Sequence, residues 1–162
     1  DVRGMGAKTV FNELRGIRGE LIWLKAPDVK LKRLVRLLHP RYSLYVVPRP
    51  DQVYIVGATE IEAEDYSPIS VRSSLELLSA AYCLHSGFAE ARIIKTATQC
   101  RPTLSDHLPK IKIKDGWMAV NGLYRHGFLI APALVEEVLR YFERGMSEIS
   151  YPNVWEEHHE VY

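Results

Sequence analysis

The sequence predicts an α+β fold in which an antiparallel sheet is flanked by helices. Three observations carry that reading. Between Glu20 and Thr59, short runs rich in β-branched and aromatic residues alternate with proline breaks. Apolar residues after Ser70, and again after Ala131, recur at a helical period. The row Lys110-Ile111-Lys112-Ile113-Lys114 alternates with the period of a strand just before Asp115-Gly116, a hairpin turn pair.

In chain order, residues 20–25, 36–39, 43–48 and 53–59 read as strands of an antiparallel meander, with Pro27, Pro40 and Pro50-Asp51 as the breaks. Ser70 suits the cap of a helix whose apolar positions Val71, Leu75, Leu78 and Tyr82 share a face, and Gly87 marks its stop. Residues 92–99 read as a further strand. The Asp115-Gly116 turn joins 110–114 to a strand over 117–120, which leads the chain to Asn121. The last helix runs from about 131 to 142, with Leu134, Val135, Val138, Leu139 and Phe142 on one stripe. After Gly145, polarity predicts a loosely ordered tail.

Composition excludes several classes. With 162 residues, 47% of them hydrophobic, the chain can bury one sizeable core but not two ordinary ones. A net charge of +1 gives no global attraction to nucleic acid or to an anionic membrane. The longest apolar run, 128–135, falls far short of the ~20 residues that span a bilayer. Cys83 and Cys100 are unpatterned and suit a reducing cytosol. His39, His85, His107 and the pair His158-His159 show no metal-ligand spacing and read as solvated or edge histidines. No serine or cysteine lies in a nucleophile turn. Lys30-Leu31-Lys32-Arg33 and the lysines of the 110–114 row read as solvent faces.

The segment Asn121-Gly122-Leu123-Tyr124-Arg125-His126-Gly127-Phe128-Leu129 places an arginine and two glycines directly before an apolar helix. Gly122 and Gly127 can adopt backbone conformations closed to other residues, and Pro132 suits a first helical turn. The helix amides would then face an anion seated at the Gly127 loop. Earlier in the chain, Arg101 at a strand end can grip a carboxylate with two parallel hydrogen bonds, its plain alternative being a surface arginine or a partner for Asp106. Tyr45 points away from Leu44 and Val46 in its strand, so its phenol can stand over a cavity while they pack; Tyr42 is the nearby residue most easily mistaken for it.

Four segments, in order, resemble motifs of the D-amino acid oxidase family of flavoenzymes, and within it the glycine oxidases of thiamine biosynthesis. They are Arg18-Gly19-Glu20, the pair Leu44-Tyr45-Val46-Val47-Pro48-Arg49 and Val56-Gly57-Ala58-Thr59-Glu60, Cys100-Arg101-Pro102 with Asp106 and Pro109, and the 121–129 segment. The resemblance implies FAD as cofactor. It implies Arg101 and Tyr45 as substrate-carboxylate residues and Arg125 at the boundary of substrate and flavin. Leu123, Tyr124, Arg125, His126, Gly127, Phe128 and Leu129 would contact the flavin, largely through backbone. Leu123 and His126 depart from the histidine and asparagine common at those places, which puts side-chain roles there in doubt.

The resemblance also implies a division of labour: 1–19 and 116–145 as parts of an FAD-binding domain, 20–115 as a substrate-binding sheet domain, and 146–162 as a tail. A strand, Gly-x-Gly-x-x-Gly turn and helix for the adenosine diphosphate half of FAD are absent, and Gly4-Met5-Gly6 has no strand before it and no third glycine. The chain is therefore expected to be the carboxyl-terminal portion of a longer protein. The activity implied for that protein is oxidation of glycine or another small amino acid to its imine, with dioxygen reduced to hydrogen peroxide and no strong protein base required. Alternatives are a sarcosine or other secondary-amine oxidase of the same superfamily, or a non-catalytic fragment that holds no flavin alone. Expected partners are the small amino-acid substrate, dioxygen and the amino-terminal FAD-binding half, in the cytoplasm, with homo-oligomer assembly open and neither nucleic acid nor membrane involved.

Overall fold

The computed structural model describes residues 1–38, 43–114 and 116–157. Tyr42, His39, Asp115 and His158-His159 lie outside them. The chain divides into two compact units, a sheet unit of Arg18–Cys100 and a terminal unit of Asp1–Ile17 with Arg101–Tyr162.

The five-stranded sheet is built from β1 (Arg15–Lys25), β2 (Val35–Leu38), β3 (Ser43–Arg49), β4 (Val53–Gly57) and β5 (Arg92–Thr103), in the order β2-β3-β4-β1-β5. Strands β2, β3 and β4 form the expected antiparallel meander, but β1 pairs with β4 and not with β2. The reason is burial. Ile22 and Leu24 of β1 are the strand's most apolar inward residues and belong in the middle of the sheet, whereas the half-exposed β2 tolerates an edge. The β3–β4 connection carries Asp51 and Gln52 at φ 59° and 58°, the two left-handed residues that a tight hairpin turn requires. Pro48 lies in β3 past the last residue that β2 pairs, where a missing N–H costs no bond on that side.

Helix α1 (Val71–Leu84) covers one face of this sheet. Ser70 caps it as expected, its hydroxyl accepting from Ser73 N–H at 3.1 Å. The face it buries shares only Leu78 with the expected one. Leu77, Ala80 and Ala81 pack with Ile22, Leu24, Val46, Tyr54 and Val56, while Val71, Leu75 and Tyr82 are exposed. Alanines let the helix approach the sheet closely, and a reading that counts only large apolar residues misses their face. The helix ends at Leu84, and Gly87 sits in the following 3-10 turn, its N–H bonded to His85 Nδ1 at 2.9 Å. His85 is therefore a local cap and not merely a solvated ring.

In the terminal unit, β6 (Lys110–Lys114) and β7 (Trp117–Asn121) form the expected hairpin, with Gly116 at φ 78°. Helix α2 (Gly127–Arg144) starts four residues before the expected point at Ala131 and runs to Arg144. Leu134 and Glu137 are buried, whereas Val135, Leu139 and Phe142 of the expected inward stripe are exposed. Residues 146–157 are ordered, contrary to the loose tail expected after Gly145. Two 3-10 turns lead to β8 (Trp155–Glu157), which pairs parallel to β6 with Ile111 opposite Trp155. What orders this segment is the Glu137 carboxylate, which accepts Ser150 N–H at 3.1 Å, Tyr151 N–H at 2.9 Å and Trp155 Nε1–H at 3.1 Å. A polar tail can be fixed by hydrogen bonds to one buried charge as firmly as by apolar packing. Ala7, Phe11, Leu14, Leu104 and Ala119 form the small core of this unit.

Candidate functional site

Tyr45 lies on β3 with its side chain on the face of the sheet opposite α1, half-buried, as the alternation with Leu44 and Val46 dictates. Register places it across from Gly57 of β4, and Gly57 across from Leu21 of β1. Gly57 leaves room for both neighbours. A Cβ there would collide with Leu21 Cδ2 and stand 3.4 Å from the Tyr45 phenol oxygen. The same face carries Trp23, with Lys95 Nζ 5.2 Å from its ring centroid.

On the α1 side, Arg18 and Glu20 form a buried polar knot that the sequence reading passed over, having quoted them only as a motif. Arg18 donates to Glu20 Oε1 at 3.0 and 2.7 Å, to the carbonyls of Asp65 and Pro68 at 2.8 Å each, and to Ser67 Oγ at 3.2 Å. Glu20 also accepts from the Thr59 hydroxyl at 2.9 Å and Ser70 N–H at 3.3 Å. Burial pushes the Glu20 carboxyl up, but bonds from Ser73, Arg18, Thr59 and Ser70 together outweigh it and hold it below its ordinary value. The knot ties the loop 59–70 to β1 and sets where α1 begins. The signal was present: an arginine and a glutamate at i and i+2 share a strand face with Ile22 and Leu24.

In the terminal unit, Arg101 is half-buried in β5, directly before Pro102 and the fully buried Thr103. The following loop is organised by Asp106, whose carboxyl accepts Leu108 N–H at 2.9 Å and pairs with Lys110 at 3.4 Å. The Leu108 bond is the main reason that Asp106 titrates below the ordinary aspartate range. His107, at φ 58°, bonds Thr103 Oγ1 through Nδ1 at 3.0 Å and stacks on Tyr124, with centroids 5.0 Å apart. It is exposed, yet it is engaged, contrary to the solvated reading.

The 121–129 segment differs from expectation in three respects and agrees in one. Gly122 has φ 80°, as foreseen, and its missing side chain admits Leu104 and the Leu108 carbonyl, 2.9 and 3.1 Å from where a Cβ would lie. Gly127, however, has φ −51° and is an ordinary helical residue. The helix starts at Gly127, so Pro132 lies inside it and not in its first turn. The residues between the glycines are themselves structured, as a 3-10 turn, Tyr124–His126, with Tyr124 at φ 51°. Early helix formation follows from the apolar run after Gly127, and it shortens the loop. Asn121, fully buried, holds the turn by donating to Gly4 O and accepting Gly122 N–H, each at 2.8 Å. Arg125 is exposed, its guanidinium 5.7 Å from the Tyr124 ring centroid and its Nε 3.3 Å from His126 Nε2.

His126, at the cap position of α2, makes no side-chain capping bond. Beside the helix runs an apolar groove of about 480 Å³, lined among others by Val2, Pro102, Leu123, Val135 and Leu139. Among the described residues no cluster of His, Cys, Asp and Glu could hold a metal, and no helix is long and apolar enough to cross a membrane.

A family model described as DAO, FAD dependent oxidoreductase, matches residues 2–139. The chain belongs to this family of FAD-dependent oxidoreductases. It is 49% identical over 137 residues to a Rhizobium etli protein named as a thiamine biosynthesis oxidoreductase, ThiO, a match that covers 83% of this chain and 42% of that one. Among solved structures, glycine oxidase from Geobacillus kaustophilus superposes with a TM-score of 0.77 at 22% identity, covering 94% of this chain and 43% of the other. Iminodiacetate oxidase from Chelativorans sp. BNC1 gives 0.75 at 23%, covering 93% and 43%. Identities that low establish a shared fold and nothing finer. The chain spans less than half the length of each of these proteins.

FAD fits the residues present in part. Backbone groups at the start of α2, a neighbouring apolar groove and the exposed Arg125 suit a flat ring system with an electron-rich edge. The sequence holds no Gly-x-Gly-x-x-Gly turn for a pyrophosphate, so this chain offers the dinucleotide half no such seat.

Proposed function

We propose that the protein is an FAD-dependent oxidase of glycine or a comparably small amino acid, working in the cytoplasm and feeding thiamine biosynthesis, together with an amino-terminal dinucleotide-binding half. The observation that carries this reading is the 49% identity, sustained over 137 residues, to a protein named as a thiamine biosynthesis oxidoreductase. In this reading Arg101 grips the substrate carboxylate, the Tyr45 phenol contacts the same group, and Arg125 lies where substrate meets flavin. The backbone of Leu123, Tyr124, Arg125, His126, Gly127, Phe128 and Leu129 lines the flavin side. FAD, when bound, supplies the two-electron acceptor that dioxygen reoxidises with release of peroxide.

The chain's own contribution is positioning. A carboxylate fixed by a guanidinium presents the alpha C–H bond in one direction, and no strong protein base is needed for that. The place of Tyr45, half-buried on the sheet face opposite α1, supports its part in this reading. The test is peroxide release from glycine by the FAD-loaded full-length protein, wild type and Arg101→Lys. Lysine keeps the charge and loses the two-pronged geometry, so kcat/KM falls by about tenfold to a hundredfold with flavin retained. A yellow, FAD-loaded protein that releases no peroxide from glycine overturns the reading; wild-type kinetics in Arg101→Lys removes Arg101 from the site.

A further inference from the structure

The loop that follows Arg101 and the turn that carries Arg125 meet through two aromatic rings, each on a residue in the left-handed backbone region. His107 has φ 58° and Tyr124 φ 51°. Their rings stack at 5.0 Å with planes 26° apart. This backbone region is uncommon for any residue with a side chain, and for the bulky Tyr124 it is an outlier that persists only where the surroundings impose it. Here they do so from both sides. His107 N–H donates to Leu104 O at 3.1 Å, and its Nδ1 lies 3.0 Å from Thr103 Oγ1, two residues beyond Arg101. The Thr103 hydroxyl also lies 3.3 Å from Leu104 O, so ring, hydroxyl and carbonyl share one hydrogen-bonded cluster. Across the gap, Gly122 at φ 80° admits Leu104 and the Leu108 carbonyl so closely that a side chain there would push the His107 loop away.

A solvated histidine needs none of this. We propose that His107 and Tyr124 form a brace that fixes the end of β5, and with it Arg101, against the turn carrying Arg125, and so sets where a substrate carboxylate is held. His107 is in this sense a positioning residue that acts through Arg101. The inference rests on the oxidase reading above.

The test compares His107→Gly and His107→Phe in the FAD-loaded full-length protein. Glycine accepts φ 58° without strain and removes only the ring and its bond; phenylalanine restores the ring. Acetate, a carboxylate that cannot be oxidised, is titrated against the flavin absorbance, and KM and kcat for glycine and the Tm are measured alongside. His107→Gly is expected to weaken acetate binding and raise KM by about tenfold, with kcat largely kept. Flavin content should be unchanged and Tm within about 3 °C of wild type. His107→Phe should recover most of the acetate affinity. Wild-type acetate affinity in His107→Gly overturns the brace whatever happens to Tm, and so does a His107→Phe protein as weak as His107→Gly. A wild-type protein that neither responds to acetate nor oxidises glycine overturns the oxidase reading itself, and the brace with it.

Discussion

Helix α1 is fixed by Leu77, Ala80 and Ala81 packed into an extended apolar cluster, whereas α2, four residues longer, buries Leu134 and a carboxylate, Glu137. In the sheet unit, polar groups such as Arg18 and Glu20 organise a loop around a core that already exists. In the terminal unit the apolar core is small, and a charged side chain organises the tail that completes it. The difference teaches how the two helices can look alike in sequence and be held by different physics. It also explains why α2 leaves Phe128, Leu129, Val135, Leu139 and Phe142 in solvent: its ordering does not depend on burying them.

Removing Glu137 tests that contrast most severely. Glu137→Ala removes the acceptor of three donors, the Ser150 and Tyr151 amides and the Trp155 indole, and a hydrogen bond to a charged group contributes about 1.5 to 3 kcal/mol. Some donors recover water as the tail lifts, so an overall loss of about 3 to 5 kcal/mol in denaturant unfolding is expected. The pH dependence has a definite sign. Burial pushes the Glu137 carboxyl up, but the Tyr151, Trp155 and Ser150 bonds and the Arg140 charge outweigh it, leaving it below the ordinary 4.5. A depressed carboxyl contributes stability that is full above its unfolded-state value and is lost as pH falls through the folded-state value. Stability should thus hold from neutrality to about pH 5 and decline below it, and Glu137→Gln should make the acid limb shallower. Glu20 has the same sign and remains, so the limb should not vanish.

Leu77→Ala strikes the other kind of attachment. Its side chain is buried in the α1 core, and truncation there combines lost transfer energy with a cavity, about 2 to 4 kcal/mol. That loss should vary little with pH between about 4 and 7, because Leu77 carries no charge and packs among apolar side chains. Were Leu77→Ala to steepen the acid limb as Glu137→Gln flattens it, the two attachments would not be separate.

The sequence yielded most elements and less of what faces what. The strands, the Ser70 cap, the lysine-row hairpin and the left-handed Gly122 all follow from local chemistry, which acts over a few residues. The burial phase of the helices is legible only in part: Leu78 and Leu134 of the expected stripes do pack, but the alanines of α1 and the glutamate at 137 carry no apolar signal that marks them as inward. The place of β1 beside β4, the knot of Arg18 with a loop nearly fifty residues away, and the hold of Glu137 on Trp155 are contacts between distant segments, and no period or motif encodes them. At the candidate site, the place of Tyr45 on the face away from Leu44 and Val46 follows from strand alternation, whereas the roles given to Tyr45 and Arg101 rest on the resemblance. His107 and Asn121 were not, since their roles come from a loop meeting a turn. Early helix formation at Gly127 was missed because Pro132 was taken for a helix start.

A milder change tests the open face of the sheet unit. Gly57→Ala puts a methyl group where Leu21 Cδ2 lies and 3.4 Å from the Tyr45 phenol. Leu21 can turn aside at its flexible end, so overpacking should cost about 1 to 3 kcal/mol and leave the α1 core intact. In the FAD-loaded protein the same substitution should raise KM for glycine through Tyr45, while Leu77→Ala, on the other face, should leave KM unchanged in the folded fraction. Equal effects on KM would show that the two faces are not independent.

The smallest change in stability sharpens the comparison through association. Leu139 and Leu34 are similarly exposed, at 53% and 62%, and neither should alter unfolding free energy by more than about 0.5 kcal/mol when replaced by lysine. Their surroundings differ. Leu139 lines the groove of about 480 Å³ beside Val135 and Pro102 and continues the exposed stripe toward Phe142, whereas Leu34 is a single leucine in a loop beside Lys32 and Arg33. Scattered apolar residues are tolerated in water, while a contiguous patch draws other surfaces to it. Leu139→Lys places a hydrated charge in the middle of such a patch. Sedimentation velocity of the 162-residue chain over rising concentration should therefore show less self-association for Leu139→Lys than for wild type, and no change for Leu34→Lys. If both lysines reduce association alike, net charge and not the α2 stripe is responsible, and the exposed face of α2 is no different from the rest of the surface.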